Sequence, residues 1–283
     1  MRLLGLLLVL YVPFLTCAEP LKTVYWFYSE MPPAYIQQGE HNNTGYADQT
    51  MQLLMDRLTN YHHVKVPANY KRSLNEIKEH ENVCHAALLK TPDREAFVIY
   101  SEPAYVLGSN QLFVRKGNDT QLAGYLSADG SVDLEGLLAN ERFMLGVSSG
   151  AKYGESIDEI LNLSSSQDNL VFRSAIDHYS GLSAMLKKST RLDGFLGLPI
   201  ENKFHKQPNS SLANELMSYP ISGSDEYLLG YVGCSNSHLG RQVINAVNDV
   251  VVAERKKKIS GFYQSWLLED DVISHQNAVD SRF

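Results

Sequence analysis

Residues 143–161 read FMLGVSSGAKYGESIDEIL. The apolar run up to Ser148 has the character of a buried strand. Ser148, Ser149 and Gly150 form a turn signal, and the stretch from Tyr153 carries a helical pattern. Two chemistries fit a strand, a sharp turn and a helix. Gly146 to Gly150 match G-x-S-x-G, the elbow that exposes a nucleophilic serine in hydrolases. The same geometry also presents backbone amides and the positive end of a helix dipole, which hold an anion without any reaction.

On either side of this unit the chain alternates strands and helices. Before it, TVYWFY (23–28), HHVKVP (62–67) and NVCHAALL (82–89) read as buried strands. The helices between them are DQTMQLLMDRL (48–58), with Met51, Leu54, Met55 and Leu58 on one face, and SLNEIKEH (73–80), with Ser73 as its cap. VLGSNQLFVRKG (106–117) reads as one long strand. DLEGLLA (133–139) is a short helix. After the opening unit, NLVFRS (169–174) and LDGFLGLP (192–199) are strands around the amphipathic helix 175–189. EYLLGYVGC (226–234) is a second long strand, two helices span 239–256 and 259–269, and the last dozen residues are polar enough to fray. A βαβαβ order argues for parallel α/β sheets, and two such series joined by two long strands give two lobes, the second inserted into the first. Ligand sites in open α/β sheets form at the carboxyl ends of the strands.

The 283 residues are 44% apolar and 20% charged, with a net charge of −7. That balance suits a globular protein and, lacking a basic stripe, excludes nucleic acid as the natural partner. Arg2, the apolar run 3–15 and the small residues before a cut after Ala18 read as a secretory signal peptide; read as a membrane anchor, the run is short for a bilayer. With Cys17 removed, Cys84 and Cys234 remain, either bonded in an oxidising compartment or buried as free thiols. His62 and His63 are adjacent and point to opposite strand faces, and no metal-ligand spacing occurs.

Four segments resemble the bacterial extracellular solute-binding proteins of the polar amino-acid type. They are the Pro-rich loop with its Gly-aromatic step into a helix (31–58), KTPDREAFVIYSEPAY (90–105), LGVSSGAKYGESI (145–157), and LDGFLGL (192–198) with LLGYVGC (228–234) and the closing helices. T-P-x-R followed by S-x-P is the most specific of these. The resemblance spans nearly all of the mature chain. It implies an α/β, two-lobed periplasmic binding protein fold of type II, with two parallel or mixed sheets flanked by helices. The expected organisation is a signal peptide at 1–18, lobe 1 at 19–112, lobe 2 at 113–222, a return to lobe 1 at 223–270 and a tail at 271–283.

The resemblance also implies site residues. Arg94 takes the place of the arginine that grips a ligand carboxylate, where a guanidinium fork fixes a planar anion. Ser148, Ser149 and Gly150 form the anion-holding turn. Tyr35 and Tyr153 are the aromatics placed to stack on a guest, ahead of Trp26, Tyr28, Tyr46 and Tyr105. The return strand lies beside the third strand in this fold, which implies a Cys84–Cys234 disulfide. Departures from the family pattern are specific. Leu89 and Ala87 stand where hydroxyls bind the ligand, Ala151 and Lys152 where threonines stand, and Leu198 where an aspartate holds the ligand ammonium. Glu30 beside the Pro-Pro loop is the substitute acid, and Lys90 and Lys152, if turned inward, favour a more negative guest.

The expectation is a monomeric periplasmic protein that closes by a hinge on a small polar or anionic, carboxylate-bearing solute, for a membrane transporter or a sensor. It has no catalytic residue, cofactor or metal. Two alternatives stand beside it. One is an enzyme on small acids or a serine hydrolase using Ser148, with His178, His205, His238 or His275 downstream as its base. The other is an interaction protein with a degenerate pocket.

Overall fold

The structure is a computed structural model and describes residues 20–140, 142–163, 168–174, 178–188, 191–205 and 216–283, without the side chains of Asp119 and His178. The expected signal peptide lies outside the described residues.

The chain begins with β1 (Lys22–Tyr28), α1 (Tyr46–Arg57), β2 (Tyr61–Pro67), α2 (Tyr70–Glu79), β3 (Val83–Leu89), the single turn α3 (Pro92–Glu95) and β4 (Val98–Gly108). It crosses into β5 (Gln111–Arg115), α4 (Leu134–Leu138), β6 (Leu145–Ser148), α5 (Glu155–Asn162), β7 (Leu170–Arg173), α6 (His178–Lys188), β8 (Gly194–Gly197), α7 (Pro199–His205) and β9 (Leu216–Pro220). It then returns through β10 (Tyr227–Ser235), α8 (His238–Glu254), a π-helical turn, α9 (Ser260–Gln264) and α10 (Glu269–Arg282). Two five-stranded mixed sheets result, in the orders β2-β1-β3-β10-β4 and β7-β6-β8-β5-β9. Every strand of the second sheet lies between the two crossings, so lobe 2 is an insertion in lobe 1.

Burial follows the sequence pattern. Strand β3 is apolar apart from His85, and its first four residues are all buried because helices cover both faces of the sheet. Helix α1 sinks Met51 and Leu54 into the lobe-1 core with Trp26, Val232 and Val247. Gly45 precedes it because the chain passes tightly over the Pro-rich loop: a Cβ there would overlap the Ala34 carbonyl oxygen and lie 2.8 Å from that of Pro33. Cys84 and Cys234 face each other in the β3–β10 register and form a disulfide.

Four local readings are corrected. The long strand predicted over 106–117 is two, because Ser109 and Asn110 carry the chain from one sheet to the other. Asn69, not Ser73, caps α2: its side chain accepts from the Arg72 amide at 2.9 Å, while Ser73 is buried one turn inside. Strand β9 and helix α7 were not predicted. The tail expected to fray is α10, which buries His275, Ala278 and Val279, the last two against Val106. Among the described residues no helix is long and apolar enough to cross a membrane.

Candidate functional site

The lobes meet around a partly open cavity of 110 Å³. Lobe 1 supplies Met31, Tyr46, Tyr70, Ala87, Leu89 and Leu107, and lobe 2 supplies Ser148, Lys152, Tyr153, Tyr179, Leu196, Leu198 and Glu201. The cavity sits at the carboxyl ends of β3, β6 and β8, where an open α/β sheet leaves its crevice. An engineered apolar cavity of about 150 Å³ admits benzene, so the part of a guest seated in this one is of about six heavy atoms. A wider groove of 710 Å³ shares Leu89, Lys152 and Leu228 with it and opens past Asp93, Glu155 and Asp158.

The lobes are held shut by their own residues. Arg94, only 2% exposed, donates from Nη1 to the Leu89 carbonyl at 2.9 Å and from Nη2 across the cleft to the Gly150 carbonyl at 2.9 Å. It also donates to the Tyr70 hydroxyl at 3.3 Å, and its guanidinium carbon stands 5.4 Å from the Tyr70 ring centroid. Lys152 pairs with Asp93 at 3.5 Å, again between lobes. Ile200 on α7 is buried in the lobe-1 core, and Phe204 lies edge-on to His41 and Trp266.

The residues singled out from sequence separate into three groups. Ser148 and Tyr153 line the cavity. Arg94 and Gly150 belong to the closure beside it, Ser149 bonds Arg173 within lobe 2, and none of the three is on the cavity wall. Glu30 and Tyr35 are elsewhere in lobe 1: the Glu30 carboxylate accepts from the Gln37 amide at 3.0 Å, and Tyr35 is fully buried with its ring 5.5 Å from that of His85. Lys90 pairs with Glu95 at 2.8 Å.

The anion-holding turn is built differently from its prediction. Helix α5 starts at Glu155, not directly after Gly150, which has φ +79°. The amides of the turn bond within the protein. Ser148 N donates to the Tyr153 hydroxyl at 2.7 Å, Ser149 N to Arg173 O at 2.9 Å, Ala151 N to Ser148 O at 3.2 Å and Tyr153 N to Asp158 Oδ1 at 3.0 Å. The chain's own carboxylate, Asp158, thus accepts from one amide of this segment. Burial raises the Asp158 carboxyl, opposed by the Tyr153 amide and by the charges of Lys152 and Arg94.

Sequence reasoning missed Glu201, Tyr46, Tyr70 and Tyr179 as cavity residues. Tyr46 had been considered only as a stacking aromatic. Glu201 is 8% exposed, and its Oε2 accepts from the Leu198 amide at 2.7 Å, the N3 half of a capping box at the start of α7. The signal was Pro199 at the first helical position with Glu201 two residues on. Among the described histidines downstream of Ser148, His205 stacks on Tyr179 and His275 bonds the Val106 carbonyl at 2.8 Å. His238 opens α8 in lobe 1, and the His178 side chain lies outside the described residues.

His85 beneath the cleft gives the protein a pH dependence. It is fully buried, and its Nδ1 accepts from the Ala87 amide at 3.2 Å. Burial first, and then the charge of Arg94, lower its pKa from 6.5 to about 3. The unfolded chain therefore binds the proton first, and the stability from neutral His85 is complete above about pH 6.5 and lost as pH falls toward 3. Asp48, pushed up to about 6 by burial against the opposing bonds from Ile36 and Gln37, acts in the opposite sense from about pH 6 down to 4. The expected result is that His85→Gln, which keeps an acceptor for Ala87, removes a slope of about 1.4 kcal/mol per pH unit from the wild-type profile. Urea unfolding from pH 4 to 7 checks it; parallel wild-type and variant profiles would count against it.

No protein-family model matches the sequence. No curated protein sequence matches it significantly. Solved structures do match. A histidine kinase sensor domain with similarity to periplasmic binding proteins is 10% identical, covering 87% of this chain and 96% of its own, with a TM-score of 0.66. The amino-acid ABC transporter substrate-binding protein AbpA from Streptococcus pneumoniae, bound to L-arginine, is 17% identical over 88% of this chain and 97% of its own, with a TM-score of 0.63. The ancestral amino-acid-binding protein AncCDT-1, a precursor of cyclohexadienyl dehydratase, is 13% identical over 87% of this chain and 96% of its own, at 0.63. With two mixed five-stranded sheets, an inserted second lobe and these neighbours, the chain has the two-lobed α/β fold of the type II periplasmic solute-binding proteins.

Proposed function

We propose that the protein binds a small solute between its lobes, closes on it by a hinge at Ser109 and Asn110 and at 221–226, and presents the closed form to a transporter or a sensor in the membrane. The cavity at the strand ends, lined by both lobes and flanked by contacts between them, carries this reading. The neighbours support it: one is a substrate-binding protein of a transporter and another a sensor domain. The reading includes export through the N-terminal signal segment, action as a monomer, and no catalytic turnover.

Ser148 hands no proton to a histidine in this reading, and Arg94 and Gly150 act in closure. A thermal-shift screen over amino acids, dicarboxylates, sugar acids, short peptides and small amines tests it. A true guest at a hundred times its Kd adds about 2.7 kcal/mol of stability. A panel without any concentration-dependent shift would argue against solute binding.

A further inference from the structure

We infer that the guest is a small organic amine without a carboxylate, held by Glu201 among the tyrosines of the cavity. The inference rests on the cleft-binding reading and narrows it. An α-amino acid has to be held at both ends. Here the receivers expected for the carboxylate end are engaged within the protein: the Arg94 fork bonds the Leu89 and Gly150 carbonyls, and Ser148 N and Tyr153 N donate to the Tyr153 hydroxyl and to Asp158. Asp158 already accepts from Tyr153 N, so a second anion beside it meets a like charge.

The other end of the cavity has the opposite character. Glu201 is more than nine-tenths buried and lines the cavity. A carboxylate offers about four acceptor positions, so bonds inside the protein leave it able to accept from an ammonium. Gly197 keeps the space beside it: a Cβ there would lie 3.2 Å from Glu201 Oε2 and 3.3 Å from the Tyr179 ring. Tyr46, Tyr70, Tyr153 and Tyr179 present rings around the same space, which suits a cation with a short apolar body. Lys152 also borders the cavity, but its ammonium pairs with Asp93 at 3.5 Å. The apolar walls from Leu89, Leu107, Leu196 and Leu198 leave little for a sugar or a second charge to bond.

Four probes of similar size separate the classes: isobutylamine, isobutanol, isobutyrate and alanine. They are titrated calorimetrically into the mature chain and its Glu201→Gln variant. Glutamine keeps the capping bond, so the variant retains the start of α7. The expected result is that isobutylamine binds most tightly and loses at least tenfold in affinity in Glu201→Gln, while isobutanol binds equally weakly to both. Tighter binding of isobutyrate or alanine would overturn the amine assignment and leave cleft binding standing. Isobutylamine binding that is unchanged in Glu201→Gln would overturn the role of Glu201. No binding by any probe or by the wider solute panel would overturn both the assignment and the cleft reading.

Discussion

Replacing Arg94 with alanine lowers the unfolding free energy by about 3 kcal/mol and leaves the lobes parted in solution. The estimate counts two charge-assisted bonds to carbonyls, each of about 1.5–3 kcal/mol, less the desolvation cost of the buried guanidinium, which the substitution removes. Only one of those bonds crosses between lobes, to Gly150, so the effect divides into two observables. Losing the bond to Leu89 loosens lobe 1 and shows in urea unfolding. Losing the bond to Gly150 shows as a larger radius of gyration in small-angle scattering. Arg94→Lys keeps the charge but cannot reach both carbonyls with one ammonium, and falls between wild type and alanine. An unchanged radius of gyration in Arg94→Ala would remove the latch.

Removing the disulfide has a comparable or larger effect. The bond closes a loop with a sequence separation of 150, which encloses all of lobe 2. The loop-closure estimate, set against the usual measured range, gives a loss of about 4 kcal/mol for the double substitution Cys84→Ala with Cys234→Ala. Both cysteines are essentially inaccessible, so a reductant acts through unfolding rather than on the native protein. Urea titrations with and without dithiothreitol are expected to coincide for the double variant and to differ for wild type. Coincident wild-type curves would show that the bond contributes nothing to stability.

The alternation of apolar strands with amphipathic helices was legible wherever an element buries a continuous face. β1, β3, α1 and α8 show that pattern plainly, and two α/β sheets followed from it, whereas the antiparallel places of β10 and β5 did not. Elements with little buried surface were not legible. Strand β9 buries one of its five residues, and α10 buries three of fourteen. Their place is fixed by partners distant in sequence, β5 for the strand and Val106 for the helix. The break in the long strand was written in Gly108, Ser109 and Asn110, all turn formers, but the β-rich flanks concealed it.

The site was legible to the same partial degree. Ser148 and Tyr153 are on the wall because a strand end points there in any such sheet. Glu201 was not visible because its meaning depends on α7 docking into the opposite lobe. Arg94 was expected to grip a ligand carboxylate, and only the fold shows that the Gly150 carbonyl, 56 positions later, accepts from its Nη2.

The central place of β10 bears on the sequence of events during synthesis. It lies between β3 and β4, yet it is the last strand made. Lobe 2 has all its strands once Pro220 has emerged, so the inserted half is free to fold before the half that flanks it. Until Ser235 follows, β3 and β4 face each other across an unfilled gap with bare edges, a surface that invites pairing with another chain. A nascent or truncated chain ending at the second crossing is therefore the aggregation-prone species, and a chaperone that shields strand edges would matter most during that interval.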